Sequence, residues 1–256
     1  MVEILPRRVR VEHIMGTAIS IDLRDVGVDG ELVDAAFAWL HDVDARFSPY
    51  KPDSEISRMG RGELLLDECH ADVAEVLSVC EDLRVQTGGL FNAWSWRADG
   101  RLDPSGVVKG WAVERAAQLL ERAGGRNFCI NAGGDIVVRG NPERGRPWRI
   151  GIRHPRQATA VAAVVRATDL AVATSGSYER GEHVLDARSG LPPRGLMSMT
   201  VVGPSLTVAD AYATIGFAMG NAGVAWVAAQ PGYAPYAITS EGHVRYSNPL
   251  KDLLAG

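Results

Sequence analysis

The sequence predicts an α+β fold with a mostly antiparallel sheet. Helical and strand-like segments occur in separate blocks along the 256 residues, and the strand-like segments are short and separated by turn residues. A content of 46% hydrophobic and 23% charged residues is ordinary for a globular protein with a core of useful size. We therefore expect a single domain over residues 1–256, built from two interlocked halves at roughly 1–125 and 126–256.

The first half is mainly helical after an initial strand pair. Alternating β-branched residues over 9–23 predict two strands joined at Met15-Gly16-Thr17. A turn-rich stretch, FSPYKPDSEISRMGRG, follows the first of three predicted helices. Apolar residues at helical spacing predict these helices over 29–47, from about Asp67 to a stop at Thr87-Gly88-Gly89, and from about 107 to 123.

The second half is mainly strands, with two helical stretches near its end. Short β-rich runs separated by turns fill most of residues 127–203, including HVLDARSG. The segment VADAYATIGFAMG, residues 208–220, predicts a mostly buried helix because small and apolar residues dominate it. A further helical stretch near 221–230 and two closing strands at 234–247 complete the chain.

Charge and motif content exclude several classes of protein. The net charge of −4 provides no basic field for nucleic acid or an anionic membrane. Three cysteines without a C-x-x-C pair argue against a disulfide framework or a structural zinc site, and Cys69 and Cys80 are predicted as plain buried thiols on one helical face. Neither a G-x-G-x-x-G fingerprint, a complete P-loop, a G-x-S-x-G elbow nor an H-E-x-x-H pair occurs.

The sequence also indicates where the protein works. The amino-terminal stretch has no apolar leader, and no later run approaches the length of a membrane span. For a complete chain, this pattern predicts a cytoplasmic protein.

Asp210 and Thr214 form the first candidate site. They are four residues apart, so a helix places the carboxylate and the hydroxyl on one face. Their roles could be structural, because acids are favoured near helix N-termini and threonine can bond to the preceding turn. Alternatively, the pair supplies part of a magnesium site, since Mg²⁺ takes one or two carboxylates and completes its shell with water and phosphate.

Three further segments carry polar residues next to turns. In LDPSGVVKG, Asp103 either caps the following helix or lies with Lys109 at a phosphate site near the helix start. In NAGGD, the paired glycines indicate either a bulge or a close approach of the backbone. In the segment 173–193, His183 is either a structural histidine or part of a site with neighbouring hydroxyls and a carboxylate.

Taken in order, these segments resemble one known family. The chain contains M-G-T, Y-K-P-D-S-E-I-S-R, T-G-G-x-F, L-D-x-x-G-x-x-K-G-x-A-V, N-x-G-G-D, A-T-S-G-x-Y, H-x-x-D-x-R-S-G-x-P and A-D-A-x-A-T-x-x-x-x-M-G. Together they resemble the ApbE family of flavin transferases, FAD:protein FMN transferases, from residue 15 to residue 220. The resemblance implies a fold of the tunnelling type, with antiparallel sheets backed by helices.

The resemblance also implies a set of site residues. Asp210 and Thr214 would bind Mg²⁺ through their side chains, and Gly106 would bind it through its carbonyl. Lys109 would neutralise the pyrophosphate of FAD, and His183 would act as the general base. The flavin nucleotide would be lined by Met15, Tyr50, Leu90, Phe91, Asn92, Asp103, Lys109 and Leu185, with Tyr50 stacking on the ring.

The implied reaction is a magnesium-dependent transfer of FMN from FAD to a Thr or Ser hydroxyl of an acceptor flavoprotein, releasing AMP. One alternative is hydrolysis of FAD to FMN and AMP, in which water replaces the acceptor hydroxyl at the same residues. Another is a flavin-binding carrier without catalysis, which would have no use for a metal site.

Overall fold

The computed structural model describes residues 8–25, 30–94, 102–177 and 194–255. Ten strands and seven α-helices alternate in blocks along these residues. In chain order they are β1 (Arg8–Ile14), β2 (Thr17–Leu23), α1 (Glu31–Phe47), α2 (Glu55–Gly60), α3 (Ala71–Gln86), α4 (Ser105–Arg122), β3 (Phe128–Ala132), β4 (Asp135–Arg139), β5 (Trp148–His154), β6 (Gln157–Ala167), β7 (Ala171–Gly176), β8 (Leu196–Gly203), α5 (Leu206–Ala218), α6 (Asn221–Ala228), β9 (Ala234–Thr239), β10 (Val244–Tyr246) and α7 (Asn248–Lys251).

Eight of the strands form one sheet, in the order β1-β2-β3-β4-β7-β8-β9-β10. Every pair of neighbours in this sheet is antiparallel. Strands β5 and β6 form a separate antiparallel hairpin. The α+β class with antiparallel sheets is therefore confirmed.

The sheet is covered on both faces. Because side chains alternate along a strand, Val137, Ala173 and Val201 contact the helices, whereas Val138 and Val172 belong to a second core under the β5–β6 hairpin. Strands β7, β8 and β9 are almost entirely buried for this reason. Their sequences are mostly apolar, with a few buried serines and threonines, and do not alternate, as expected for strands covered on two sides.

Several predicted boundaries require correction. The helix expected from Asp67 begins at Ala71, after a short 3-10 turn over Leu66–Glu68, because the His70 side chain accepts the Asp72 N–H and caps α3. Cys69 therefore lies before the helix and does not share a helical face with Cys80. The turn-rich segment also contains an unpredicted helix, α2, which the Ser54 side chain caps by accepting the Ser57 N–H.

The cysteines of the described residues are free thiols, but of the two predicted to be buried only Cys80 is buried, whereas Cys69 is partly exposed. Burial raises the pKa of the Cys80 and Cys129 thiols to about 12. Both thiols therefore stay protonated at neutral pH and are poor nucleophiles.

Within the parts of the chain that the structure describes, none of the helices has the length and apolar character needed to cross a membrane. The cytoplasmic location and the division into two interlocked halves stay predictions. The predicted strand HVLDARSG lies outside the described residues.

Candidate active site

Helices α4 and α5 meet at Gly110, and this contact organises the site. A Cβ atom at residue 110 would lie 2.7 Å from the Leu206 carbonyl oxygen and 2.8 Å from Asp210 Cβ. Only glycine allows the two backbones to approach this closely. As a result, the Gly110 N–H donates a hydrogen bond of 3.0 Å to Asp210 Oδ2.

Asp210 is buried, with 4% of its surface exposed, and it lies beyond the first turn of α5. The helix dipole does not explain an acid at this position, because the dipole effect decays within the first turn. The start of α5 is instead held by Glu114 of α4, whose carboxylate accepts bonds from the Ser205 hydroxyl and the Thr207 N–H. Asp210 is therefore not needed to cap this helix.

Lys109 lies between two buried carboxylates. Its ammonium group is paired with Asp135 Oδ2 and lies 3.8 Å from Asp210 Oδ1. Asp135 is 1% exposed, and its Oδ1 accepts the Thr174 N–H at 3.0 Å. Two carboxylates and one ammonium give this cluster a formal charge of −1, which suits a further cation.

Thr214 contacts the neighbouring strand. Its Oγ1 atom lies 3.1 Å from the Ser175 Oγ atom of β7, and both side chains are buried. Strand β7 therefore contacts the site twice, because the Thr174 N–H holds Asp135 and the adjacent Ser175 side chain holds Thr214.

The segment 90–94 packs against the start of α4. Leu90 and Phe91 are buried, and a Cβ atom at Gly106 would lie 3.1 Å from the Phe91 ring. The Asp103 N–H donates to the Ala93 carbonyl at 2.7 Å, and the Asp103 carboxylate accepts the Ser105 N–H.

These contacts define what each predicted residue of the segment offers a ligand. The Leu90 and Phe91 side chains belong to the core, so only their backbone could contact a ligand. Asn92 is partly exposed, and its side-chain oxygen accepts the Trp94 N–H. Asp103 is not the N-cap of α4, as one of its two predicted roles required, because that position is Pro104; its carboxylate accepts the N–H of the first helical residue, Ser105.

Tyr50 is 81% exposed at the mouth of a cleft of about 150 Å³. The cleft is lined by Pro49, Tyr50, Pro52, Ile56, Ser57, Gly60, Arg61 and Leu102. Because Leu102 precedes Asp103, the cleft runs from Tyr50 to the segment that enters α4. An exposed aromatic side chain that lines a cleft presents an apolar ring surface at that cleft.

Met15 and Gly16 form the two-residue turn between β1 and β2. Both have positive φ angles, 53° and 72°, as a type I′ turn requires. The next residue, Thr17, packs closely on Gly133. A Cβ atom at residue 133 would lie only 2.3 Å from the Thr17 hydroxyl oxygen. The paired glycines of NAGGD therefore mark a close approach of the backbone, and this turn leads directly into Asp135.

The structure brings together Lys109, Asp210 and Thr214 of the predicted residues. His183 and Leu185 lie outside the described residues. Sequence analysis missed Asp135 and Ser175 as site residues, although both belong to quoted motifs, N-x-G-G-D and A-T-S-G. The sequence offered two signals: Asp135 directly follows two glycines, and Ser175 lies in a mostly apolar strand.

No cluster of three or more His, Cys, Asp or Glu side chains suited to a metal ion is present among residues 8–25, 30–94, 102–177 and 194–255. The predicted ligand set of Asp210, Thr214 and the Gly106 carbonyl is of another kind, because it contains one carboxylate.

The fold and the site together define an α+β protein with a buried cluster of oxygen atoms and one ammonium group between two helices. A family model described as the ApbE family matches residues 15–96 and 94–237. The chain belongs to the ApbE family.

Curated relatives carry the name FAD:protein FMN transferase. The relative from Haemophilus influenzae is 28% identical, and the match covers 82% of this chain and 80% of that protein. The Escherichia coli K12 relative is 35% identical over a shorter match, which covers 55% of this chain and 43% of that protein.

Solved structures share the fold. The flavin transferase ApbE from Vibrio cholerae superposes with a TM-score of 0.84 at 23% identity, covering 97% of this chain and 99% of that one. The ApbE protein from Thermotoga maritima gives a TM-score of 0.85 at 22% identity and covers 98% of this chain and 100% of that one.

Proposed function

We propose that this protein is an FAD:protein FMN transferase that uses Mg²⁺ to move FMN from FAD to a Thr or Ser hydroxyl of an acceptor flavoprotein, with AMP as the leaving product. The observation that carries the proposal is the buried cluster of Lys109, Asp135 and Asp210 at the contact of α4 and α5. The names of the curated relatives support the flavin chemistry.

The donor atoms around Asp210 fit magnesium. Carboxylate, hydroxyl and carbonyl oxygens are the ligands that this hard cation prefers. In our proposal, Asp210 and Thr214 bind the ion with their side chains and Gly106 with its carbonyl. In a regular α-helix, the Gly110 N–H donates to the Gly106 carbonyl. Here the Gly110 N–H also donates to Asp210 Oδ2, which would leave the Gly106 carbonyl oxygen better able to bind a metal ion.

The metal ion, Lys109 and His183 have different proposed roles in the transfer. Bound Mg²⁺ would neutralise charge on the phosphate oxygens. Lys109, whose side chain is 21% exposed, would donate to the same group from the other side. His183 remains our candidate to accept the proton of the acceptor hydroxyl, since an imidazole titrates near neutrality.

The flavin ring would bind at the cleft beside Tyr50. The exposed Tyr50 ring would stack on the isoalloxazine, and the partly exposed Asn92 would contact the nucleotide near Asp103. Met15 would contact it from the β1–β2 turn, and Leu90 and Phe91 from their backbone. Leu185 completes the proposed set.

The test is to incubate the purified protein with FAD, Mg²⁺ and candidate acceptor flavoproteins. Mass spectrometry should detect an acceptor that has gained one FMN on Thr or Ser, together with one equivalent of AMP. Formation of FMN and AMP at the same rate with and without acceptor, and without any adduct, would instead support the hydrolase. Binding of FAD without any AMP would support the carrier.

A further inference from the structure

We propose that Asp135 is a positioning residue that keeps the Lys109 ammonium in contact with itself and 3.8 Å from Asp210 Oδ1, so that a metal ion, rather than Lys109, makes the close contact with Asp210. The inference rests on the proposed function, because it concerns the same metal site. It concerns Asp135, which contributes no oxygen atom to the proposed set of metal ligands.

The first step is the competition for Lys109. One ammonium group lies between two buried carboxylates, in contact with Asp135 and 3.8 Å from Asp210 Oδ1. The Lys109 side chain is only 21% exposed, and an ammonium group in such a position pairs with a buried carboxylate because an isolated charge there is costly. If Asp135 were neutral, Asp210 would be the remaining carboxylate of this cluster and Lys109 would move to it.

The second step is the rigidity of Asp135. It is 1% exposed, and its Oδ1 accepts the Thr174 N–H at 3.0 Å, which fixes the carboxylate to strand β7. It is also the first residue of β4, directly after the turn whose Gly133 packs on Thr17. Asp135 therefore cannot follow Lys109, and the position of the ammonium group depends on where this carboxylate is held.

The third step is the consequence for the metal. An ammonium group paired with Asp210 would occupy the oxygen that the metal needs, and its charge would repel the cation. Replacing a residue that contacts and orients a metal ligand, without binding the metal itself, typically weakens metal binding by about 10- to 100-fold. We therefore expect the loss of Asp135 to weaken metal binding only while Lys109 is present.

The experiment is a double-mutant cycle on the full-length protein. Mn²⁺ is titrated into the wild type, Asp135→Asn, Lys109→Met and the double variant with saturating FAD at 4 °C, and free Mn²⁺ is measured by electron paramagnetic resonance against an FAD blank. Asp135→Asn should bind Mn²⁺ about 10- to 100-fold more weakly than the wild type. In the Lys109→Met background, the same substitution should change the affinity by less than about threefold.

A matched control uses the other ion pair between the same two elements. Arg139 of β4 and Glu121 of α4 lie 2.9 Å apart, away from Lys109. Glu121→Gln should leave Mn²⁺ affinity within about twofold of the wild type, which separates the specific effect from general loosening of α4.

The outcomes are distinguishable. If Asp135→Asn weakens Mn²⁺ binding equally in both backgrounds, Asp135 acts as a metal ligand or through its charge alone. That result would overturn the inference and leave the proposed function intact. No weakening in the wild-type background would also overturn it. A wild type that does not bind Mn²⁺ would overturn both the metal-dependent function and the inference.

A crystal structure of Asp135→Asn provides a second measurement that does not depend on Lys109→Met folding. Asparagine has nearly the same size and its oxygen can still accept the Thr174 N–H, so the fold should be retained. We expect Lys109 Nζ within hydrogen-bond distance of Asp210 Oδ1. An ammonium group that stays beside residue 135 would overturn the inference.

Discussion

At the scale of single residues, Asp210 has a structural and a functional explanation that make different predictions. Asp210→Asn keeps the size of the side chain and an oxygen that can accept the Gly110 N–H. Because this hydrogen bond is kept, a purely structural role predicts a loss of only about 1 kcal/mol in the free energy of unfolding. A metal role predicts near-normal folding with little AMP release at ordinary Mg²⁺ concentrations, because a neutral amide is a poor ligand for a hard cation.

The measurement is AMP production against Mg²⁺ concentration, with thermal melting alongside. Thr214→Val should act in the same direction but more weakly, since it removes a neutral oxygen. An Asp210→Asn protein that melts early but turns over normally, with an unshifted Mg²⁺ dependence, would contradict the metal role.

Tyr50 is the second residue whose role can be tested alone. Because its ring is exposed and contributes little to the core, Tyr50→Ala should leave the melting temperature nearly unchanged. It should weaken FAD binding by roughly 1–3 kcal/mol, by analogy with base–aromatic stacking. Tyr50→Phe keeps the ring and serves as the control, with affinity close to that of the wild type. Equal affinity of all three proteins in calorimetry would exclude stacking on Tyr50.

At the scale of secondary-structure elements, the contact of α4 with α5 places the site. Gly110→Ala would improve helix propensity by about 1 kcal/mol in isolation. Here we expect the opposite sign, a loss of about 1–3 kcal/mol, because the added methyl group would meet the Leu206 carbonyl at 2.7 Å. Separation of the helices would also break the hydrogen bond to Asp210 and lower the metal affinity.

Urea unfolding measures this effect, and Gly60→Ala is its control. A Cβ atom at Gly60 of α2 would meet Leu102 at 3.7 Å, an ordinary contact, so Gly60→Ala should not destabilise the protein and should gain at most about 1 kcal/mol from helix propensity. A Gly110→Ala protein more stable than the wild type would show that α5 does not need this close approach.

At the scale of the whole molecule, the thiols of Cys80 and Cys129 predict how stability depends on alkaline pH. Burial raises the pKa of Cys80 and of Cys129 from the usual 9.0 to about 12. The unfolded chain therefore releases these protons first, and the contribution to stability is complete below pH 9 and lost as the pH rises towards 12. The free energy of unfolding should fall by up to about 1.4 kcal/mol per pH unit for each thiol in this range.

Urea unfolding at pH 8, 9 and 10 measures this slope. The double variant Cys80→Ala/Cys129→Ala serves for comparison, because the slope due to other groups is common to both proteins. A smaller slope is expected for the variant, even though the loss of core packing lowers its absolute stability. Identical slopes would contradict the effect of burial on the two thiols.

The sequence by itself determined the class of the fold and most of the elements. Long helices such as α1 and α4, and hairpins such as β1–β2, follow from local periodicity and turn residues, which depend on neighbours in the chain. Short elements were missed or displaced, because a single capping bond from Ser54 or His70 decides where α2 or α3 begins. Such a bond changes the local pattern of apolar residues very little.

Only the tertiary structure decided how the site is assembled. Local pattern and family resemblance indicated Lys109, Asp210 and Thr214, but not that Asp135 pairs with Lys109 or that Ser175 contacts Thr214. Those contacts join residues 26 and 39 positions apart in the chain. They exist because β4 and β7 are neighbours in the sheet and because Gly110 lets α5 approach α4. Sheet order and backbone distance depend on the packing of the whole chain, and no local pattern records them.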